Sequence, residues 1–168
     1  MALDVARLLG KTKTELVPTD IVPKAAAAIS VAPLSNIYVV GRRGPLEANF
    51  SFPELSEFGN LQDAEPVVDP NSLPADATSV VEIERKKKER NLRVLRTFSK
   101  KSAGNKSVKV HLLFFMSPVE ILGERKIKAV KMVRNTLVDG KAIATKDTFM
   151  LDADLLVPAI GYKSAPII

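Results

Sequence analysis

The chain contains no cysteine, no tryptophan and a single histidine, and aromatic residues make up only 5% of its 168 positions. The missing thiols exclude disulfides, thiolate zinc centres, iron–sulfur clusters and a cysteine nucleophile within this chain. His111 alone gives no basis for a histidine metal cluster, and it argues against a histidine-based triad. No apolar run approaches the roughly 20 residues of a membrane-spanning helix, and no signal-peptide pattern opens the chain. These absences set the expectation of a soluble cytoplasmic protein without a membrane partner.

What is present is a globular composition. Hydrophobic residues make up 46%, which argues against disorder throughout, and the length suits one domain with a real core. The net charge of +6 is local. Between Glu82 and Lys101 there are nine basic and three acidic residues, a surplus that equals the charge of the whole chain. Such a run reads first as a solvated helix face. Nucleic-acid binding is the sharper alternative, and the scarce aromatics and lack of any nucleic-acid motif weigh against it.

The chain is organised around Asn36-Ile-Tyr-Val-Val-Gly-Arg-Arg-Gly-Pro45. Ile37 to Val40 is apolar without alternation, the pattern of a strand buried on both faces. Two glycines and a proline then end it and permit unusual backbone angles. Arg42 and Arg43 are thus expected at the carboxyl end of a buried strand, the edge where open α/β sheets bind ligands. Guanidinium forks suit phosphate. The pair reads either as a solvated basic turn or as a phosphate site.

Taken in order, Met1 to Leu9 predicts a helix with Ala2, Val5, Ala6 and Leu9 on its apolar stripe. It has no visible start, so the chain looks cut. Gly10 to Thr14 breaks the pattern. Pro18-Thr19-Asp20 predicts a turn and cap ahead of an alanine-rich helix over Lys24–Ile29. Ser51 predicts an N-cap with Pro53 and Glu54 in the first turn. Glu65 to Asp69 predicts a weak strand interrupted by Pro66. Ala75 to Lys101 predicts a long helix with Leu92, Leu95 and Phe98 inward and Glu84 to Arg90 solvated. The last third predicts strands at Val108–Phe115, Val119–Leu122, Lys126–Arg134 and Asp147–Asp154, then a buried parallel strand at Leu155–Ile160. This order predicts an α/β fold: a Rossmann-like, doubly wound nucleotide-binding domain with an antiparallel β-meander insert and its first strand missing.

Separated blocks also resemble one family. Ala2-Leu-Asp-Val-Ala-Arg-Leu-Leu9 is similar to the helix after the NADP-side glycine loop of the adrenodoxin reductase family, which are FAD-dependent ferredoxin–NADP reductases. Val40-Gly-Arg-Arg-Gly-Pro-Leu46, followed by Phe50 and Glu54-Leu55, resembles that family's NADP phosphate block. Leu113-Phe-Phe-Met-Ser-Pro118 and Ile160-Gly-Tyr-Lys-Ser164 resemble two later blocks. The resemblance covers nearly the whole chain. It implies that Arg42 and Arg43 bind the adenosine 2′-phosphate and select NADP over NAD, and that Glu54 also contacts NADP. It assigns no catalytic residue, no metal ligand and no role to His111.

The departures from the family pattern are equally specific. The chain has no G-x-G-x-x-G, and the family's flavin domain is absent from it. Residues 1–168 therefore read as an NADP-binding domain fragment, preceded in the family by a strand and glycine loop. In the complete enzyme NADPH would reduce FAD, and the flavin would pass electrons to a ferredoxin-type iron–sulfur protein. Alone, the chain is expected not to be a competent reductase. The alternative is a non-catalytic nucleotide-binding or protein-interaction module from a split or truncated gene. Two surfaces carry further expectations. The Arg85–Lys101 helix would dock an acidic partner. The sheet left open by the missing strand would give marginal stability or a homo-oligomer.

Overall fold

A computed structural model describes residues 1–100 and 104–161 of the chain. Helix α1 (Ala2–Gly10) forms as predicted, but its buried face is Leu3, Ala6 and Gly10. The expected stripe is therefore rotated by one position. Gly10 explains the choice: a Cβ there would lie 3.2 Å from Ala64 Cβ and 3.3 Å from Leu61. The missing side chain lets the helix end press against the core.

The break after Gly10 holds a short helix, α2 (Lys13–Leu16). It is closed by a capping box between Thr12 and Glu15, and Leu16 is 1% exposed. The next helix, α3 (Pro23–Val31), has Val22 at its N-cap, without a side-chain bond. Thr19 and Asp20 do not cap it. The Thr19 hydroxyl instead donates to Leu16 O at the end of α2.

Strand β1 (Asn36–Val40), strand β2 (Ala64–Val67) and strand β3 (Val108–Leu113) form a parallel sheet in the order β1-β3-β2. Among the described strands β1 is thus an edge, not an interior strand. Ile37 and its partner Val110 are buried, whereas Tyr38 and its partner His111 are only half-buried. The continuous apolar run at Ile37–Val40 is therefore covered on one face only. β2 is also an edge, and that position tolerates Pro66.

The covered face carries the core. Leu3 and Ala6 of α1 join Leu55 of α4 (Phe52–Ser56), Leu92, Leu95 and Phe98 of α5 (Glu82–Lys100), and Val110 and Leu112 of β3. Helix α5 begins later than the sequence predicts. Asp76 accepts from Thr78 N at 2.9 Å and from the Thr78 hydroxyl, and this local turn replaces the first helical residues.

Past Leu113 the chain crosses into a second, antiparallel sheet. Its strands are β4 (Met116–Leu122), β5 (Ala129–Val138) and β6 (Lys141–Asp152), in that order. This is the predicted meander. The predicted buried strand at Leu155–Ile160 does not form: the run has no ladder partner among the described residues, Leu155 is 62% exposed and Ile160 is 95% exposed. Its apolar character is real, but nothing described here packs over it. Tyr162, Lys163 and Ser164 of the last sequence block, and Lys101 at the end of the basic run, lie outside the described residues.

Candidate functional site

The site is the turn that ends β1. Gly41 N donates to Leu113 O at 2.8 Å, which prolongs the β1–β3 ladder by one bond. The chain then leaves the sheet, and its next carbonyls are held one after another. Gly41 O accepts from Met116 N at 3.1 Å and Arg43 O from Phe115 N at 3.1 Å. Arg42 O accepts from the Asn135 side-chain amide at 2.8 Å. The three carbonyls of the turn are therefore held without help from either arginine side chain. Both side chains are exposed, and among the described residues neither forms an ion pair.

Gly44 and Pro45 behind the arginines are buried. A Cβ on Gly44 would meet the Phe115 ring at 2.5 Å, so only glycine fits under that ring. Phe115 itself has φ +57, the left-handed region that a bulky residue rarely adopts. Its amide and carbonyl are both bonded, to Arg43 O and Asn135 N, and these bonds hold the conformation.

The sequence places Glu54 near this edge. The structure puts it in the first turn of α4, as predicted, where Ser51 and Glu54 form a capping box. The Glu54 carboxylate accepts from Ser51 N at 3.2 Å, and the Ser51 hydroxyl accepts from Glu54 N at 3.3 Å. No described hydrogen bond joins Glu54 to Arg42 or Arg43. The two arginines are chain neighbours, both exposed on the turn, and Glu54 has a structural partner of its own.

Two residues that the sequence reading missed hold the segment between these parts. Lys88 Nζ donates to Ala48 O at 2.7 Å, and Asn91 Nδ2 donates to Phe50 O at 3.0 Å. Both lie on α5 and both are almost fully buried, at 3% and 2% exposure. The prediction that Glu84–Arg90 is solvated therefore fails at Lys88. Burial lowers the Lys88 pKa, and the negative charge of Glu84 works against that shift. The i, i+3 spacing of Lys88 and Asn91 was visible, but nothing marked them as inward.

Beside the turn lies an open groove of about 360 Å³ that includes Gly44, Glu47, Asn71, Ser72 and Phe115. A second hollow of about 280 Å³ continues from Asn71, Ser72 and Phe115 toward Arg134 and Asn135. Neither hollow is lined by Arg42 or Arg43, but two exposed guanidiniums that form no ion pair among the described residues suit a dianionic phosphate group. Among the described residues no group of acidic or histidine side chains could hold a metal ion, and no helix is long and apolar enough to cross a membrane. His111 lies away from the turn in β3. It stacks on Tyr38 with ring centroids 4.7 Å apart, and its Nε2 is 2.9 Å from Asn36 Oδ1. Burial first, and the charge of Lys109 second, lower its pKa from the usual value of 6.5.

No family model matches the chain. Individual proteins do. It is 35% identical over 175 residues to NADPH-ferredoxin reductase FprA of Mycobacterium tuberculosis, which covers 99% of this chain and 38% of that protein. It is 32% identical over 181 residues to the mitochondrial NADPH:adrenodoxin oxidoreductase of Homo sapiens, covering 99% of this chain and 37% of that one. Among solved structures, Mycobacterium tuberculosis FprA in complex with NADPH matches with a TM-score of 0.89 at 32% identity, over 98% of this chain and 37% of that one. The chain thus spans a little over a third of the length of these relatives. Across almost its whole length it is similar, in sequence and in fold, to the adrenodoxin reductase-like ferredoxin–NADP reductases.

Proposed function

We propose that this chain is the NADPH-binding part of a cytoplasmic flavoprotein oxidoreductase that passes electrons from NADPH, through FAD, to a ferredoxin-type iron–sulfur protein. The observation that carries the reading is the Arg42–Arg43 turn, exposed at the carboxyl end of β1 and without an ion pair among the described residues. The two guanidiniums bind the adenosine 2′-phosphate and so distinguish NADP from NAD. Glu54 adds a contact to the nucleotide from the start of α4. Residues 1–168 act as one NADP-binding unit, and FAD belongs to a separate domain that this unit faces in the complete enzyme. The chain alone holds NADPH and does not complete the electron path.

The partner surface is the outer face of α5. Lys86, Lys87, Arg90, Arg93 and Lys100 are all exposed there, and Arg90 lies 3.8 Å over the Phe52 ring. A concentration of positive charge on one helix face steers an acidic protein toward it, with strong salt dependence. The open edge of β1 is the proposed route to self-association when the unit is isolated.

Calorimetric titration of the chain with NADP and with NAD tests the reading. NADP is expected to bind in preference to NAD. Replacing Arg42 or Arg43 by alanine is expected to weaken NADP about tenfold or more, the scale of one hydrogen bond to a charged group. Equal affinity for the two nucleotides, or full NADP binding in the Arg42→Ala, Arg43→Ala double variant, would remove the basis for the assignment.

A further inference from the structure

Three successive carbonyls of the arginine turn are held, and their donors differ in kind. Gly41 O and Arg43 O are served by the backbone amides of Met116 and Phe115, which almost any residue could supply. Arg42 O, between them, is served by a side chain. That side chain comes from the other sheet, from Asn135 on β5. We propose that Asn135 is a positioning residue for the arginine pair: by fixing the peptide that joins Arg42 to Arg43, it holds both guanidiniums in the arrangement that selects a 2′-phosphorylated nucleotide. This rests on the phosphate reading of the turn given above.

Four features support the assignment. Asn135 is 8% exposed, a polar side chain on the inward face of β5 beside Val133. The β5–β6 register shifts between Val133 and Asn135 with the extra residues on β6, so β5 keeps its alternation and Asn135 its inward face. Both hydrogens of the amide are used: one on Arg42 O, the other on the Ser117 hydroxyl oxygen at 2.8 Å. The backbone of Asn135 is itself fixed, since its N–H donates to Phe115 O at 2.7 Å. Asn135 is therefore anchored at its own main chain, oriented by Ser117 and directed at one carbonyl. That carbonyl lies between two others that backbone amides already hold, and it is the one of the three that depends on a side chain.

The consequence concerns selectivity more than affinity in general. With the Arg42 carbonyl released, the peptide plane between the arginines can turn and the guanidiniums no longer converge on one phosphate. The rest of a nucleotide is not bound through this peptide, so a ligand without the 2′-phosphate is unaffected. A purely structural role for Asn135 would instead weaken both kinds of ligand together.

The test uses the full chain, with adenosine 2′,5′-diphosphate and adenosine 5′-monophosphate as probes in parallel titrations. Asn135→Ala is expected to weaken the 2′,5′-diphosphate by about twofold to tenfold, the range for one lost hydrogen bond, with the monophosphate unchanged. Ser117→Ala leaves Asn135 in place but removes the acceptor that orients it. It is expected to shift the ratio of the two affinities in the same direction by a smaller factor, and it decides the matter if Asn135→Ala does not fold. An unchanged ratio, or an equal loss for both probes, overturns the proposal. If the unaltered chain fails to prefer the 2′,5′-diphosphate, the phosphate reading itself fails and this inference falls with it.

Discussion

Gly44→Ala gives a direct test of how rigidly the arginine turn is backed. The added methyl would lie 2.5 Å from Phe115 Cζ, 2.8 Å from Cε1 and 2.9 Å from Glu47 Oε2. Carbon atoms rest at about 3.5–4.0 Å, so the ring has to retreat by about 1 Å. The Glu47 carboxylate can move aside into water at little cost. The ring cannot do so as freely. Phe115 is held at φ +57, with its N–H on Arg43 O at 3.1 Å and its carbonyl on Asn135 N at 2.7 Å. Its remaining freedom is side-chain rotation toward the neighbouring groove. Overpacking of this kind costs about 1–3 kcal/mol. For a chain of this size that lowers the melting temperature by roughly 2–12 °C. Urea denaturation of Gly44→Ala, Phe115→Ala and the double variant closes a mutant cycle. Removal of the ring should abolish the penalty of the methyl, giving a coupling of about 1 kcal/mol or more. Additive effects, within about 0.5 kcal/mol, would refute the claim that the ring packs on Gly44.

Two further predictions concern pH. Burial opposes the ionisation of Glu15, but the amides of Thr12 and Gln62 and the Thr12 hydroxyl outweigh it, and its pKa lies below the usual 4.5. The unfolded chain then takes up the proton first, so the contribution of Glu15 is fully present above 4.5 and is lost as pH falls through the lowered value. Glu15→Ala should cost about 0.5–2 kcal/mol near neutral pH and flatten the acid limb of the urea midpoint against pH. An unchanged acid limb would count against this capping arrangement. His111 also has a lowered pKa, and for a base this means the fold prefers its neutral form. Stability should therefore decline as pH drops below 6.5, and His111→Gln should remove that part of the slope. A slope that steepens in His111→Gln would contradict it.

Much of the site could be read without coordinates because its signals are local. Gly41 and Gly44 bracket Arg42 and Arg43, so the end of β1 and the position of the pair follow from adjacent residues. The same holds for the cap of α4, where Ser51 and Glu54 stand at the spacing a capping box needs. The alternation along β5 likewise announced an antiparallel strand. These features depend on backbone stereochemistry and on neighbours within a turn or two, which the sequence by itself determines.

What only the tertiary structure decided depends on distant partners. Asn135 meets Arg42 across 93 residues, and Lys88 meets Ala48 across 40. No periodicity distinguishes these side chains from solvated ones, because a buried polar group is tolerated only where a specific carbonyl waits for it. The edge position of β1 and the exposure of Leu155–Ile160 were hidden for a related reason. An apolar run records that a strand can be covered, whereas whether it is covered depends on what packs or pairs against it. The sequence thus determined which residues form the arginine turn, and the meeting of two sheets decided how that turn is held.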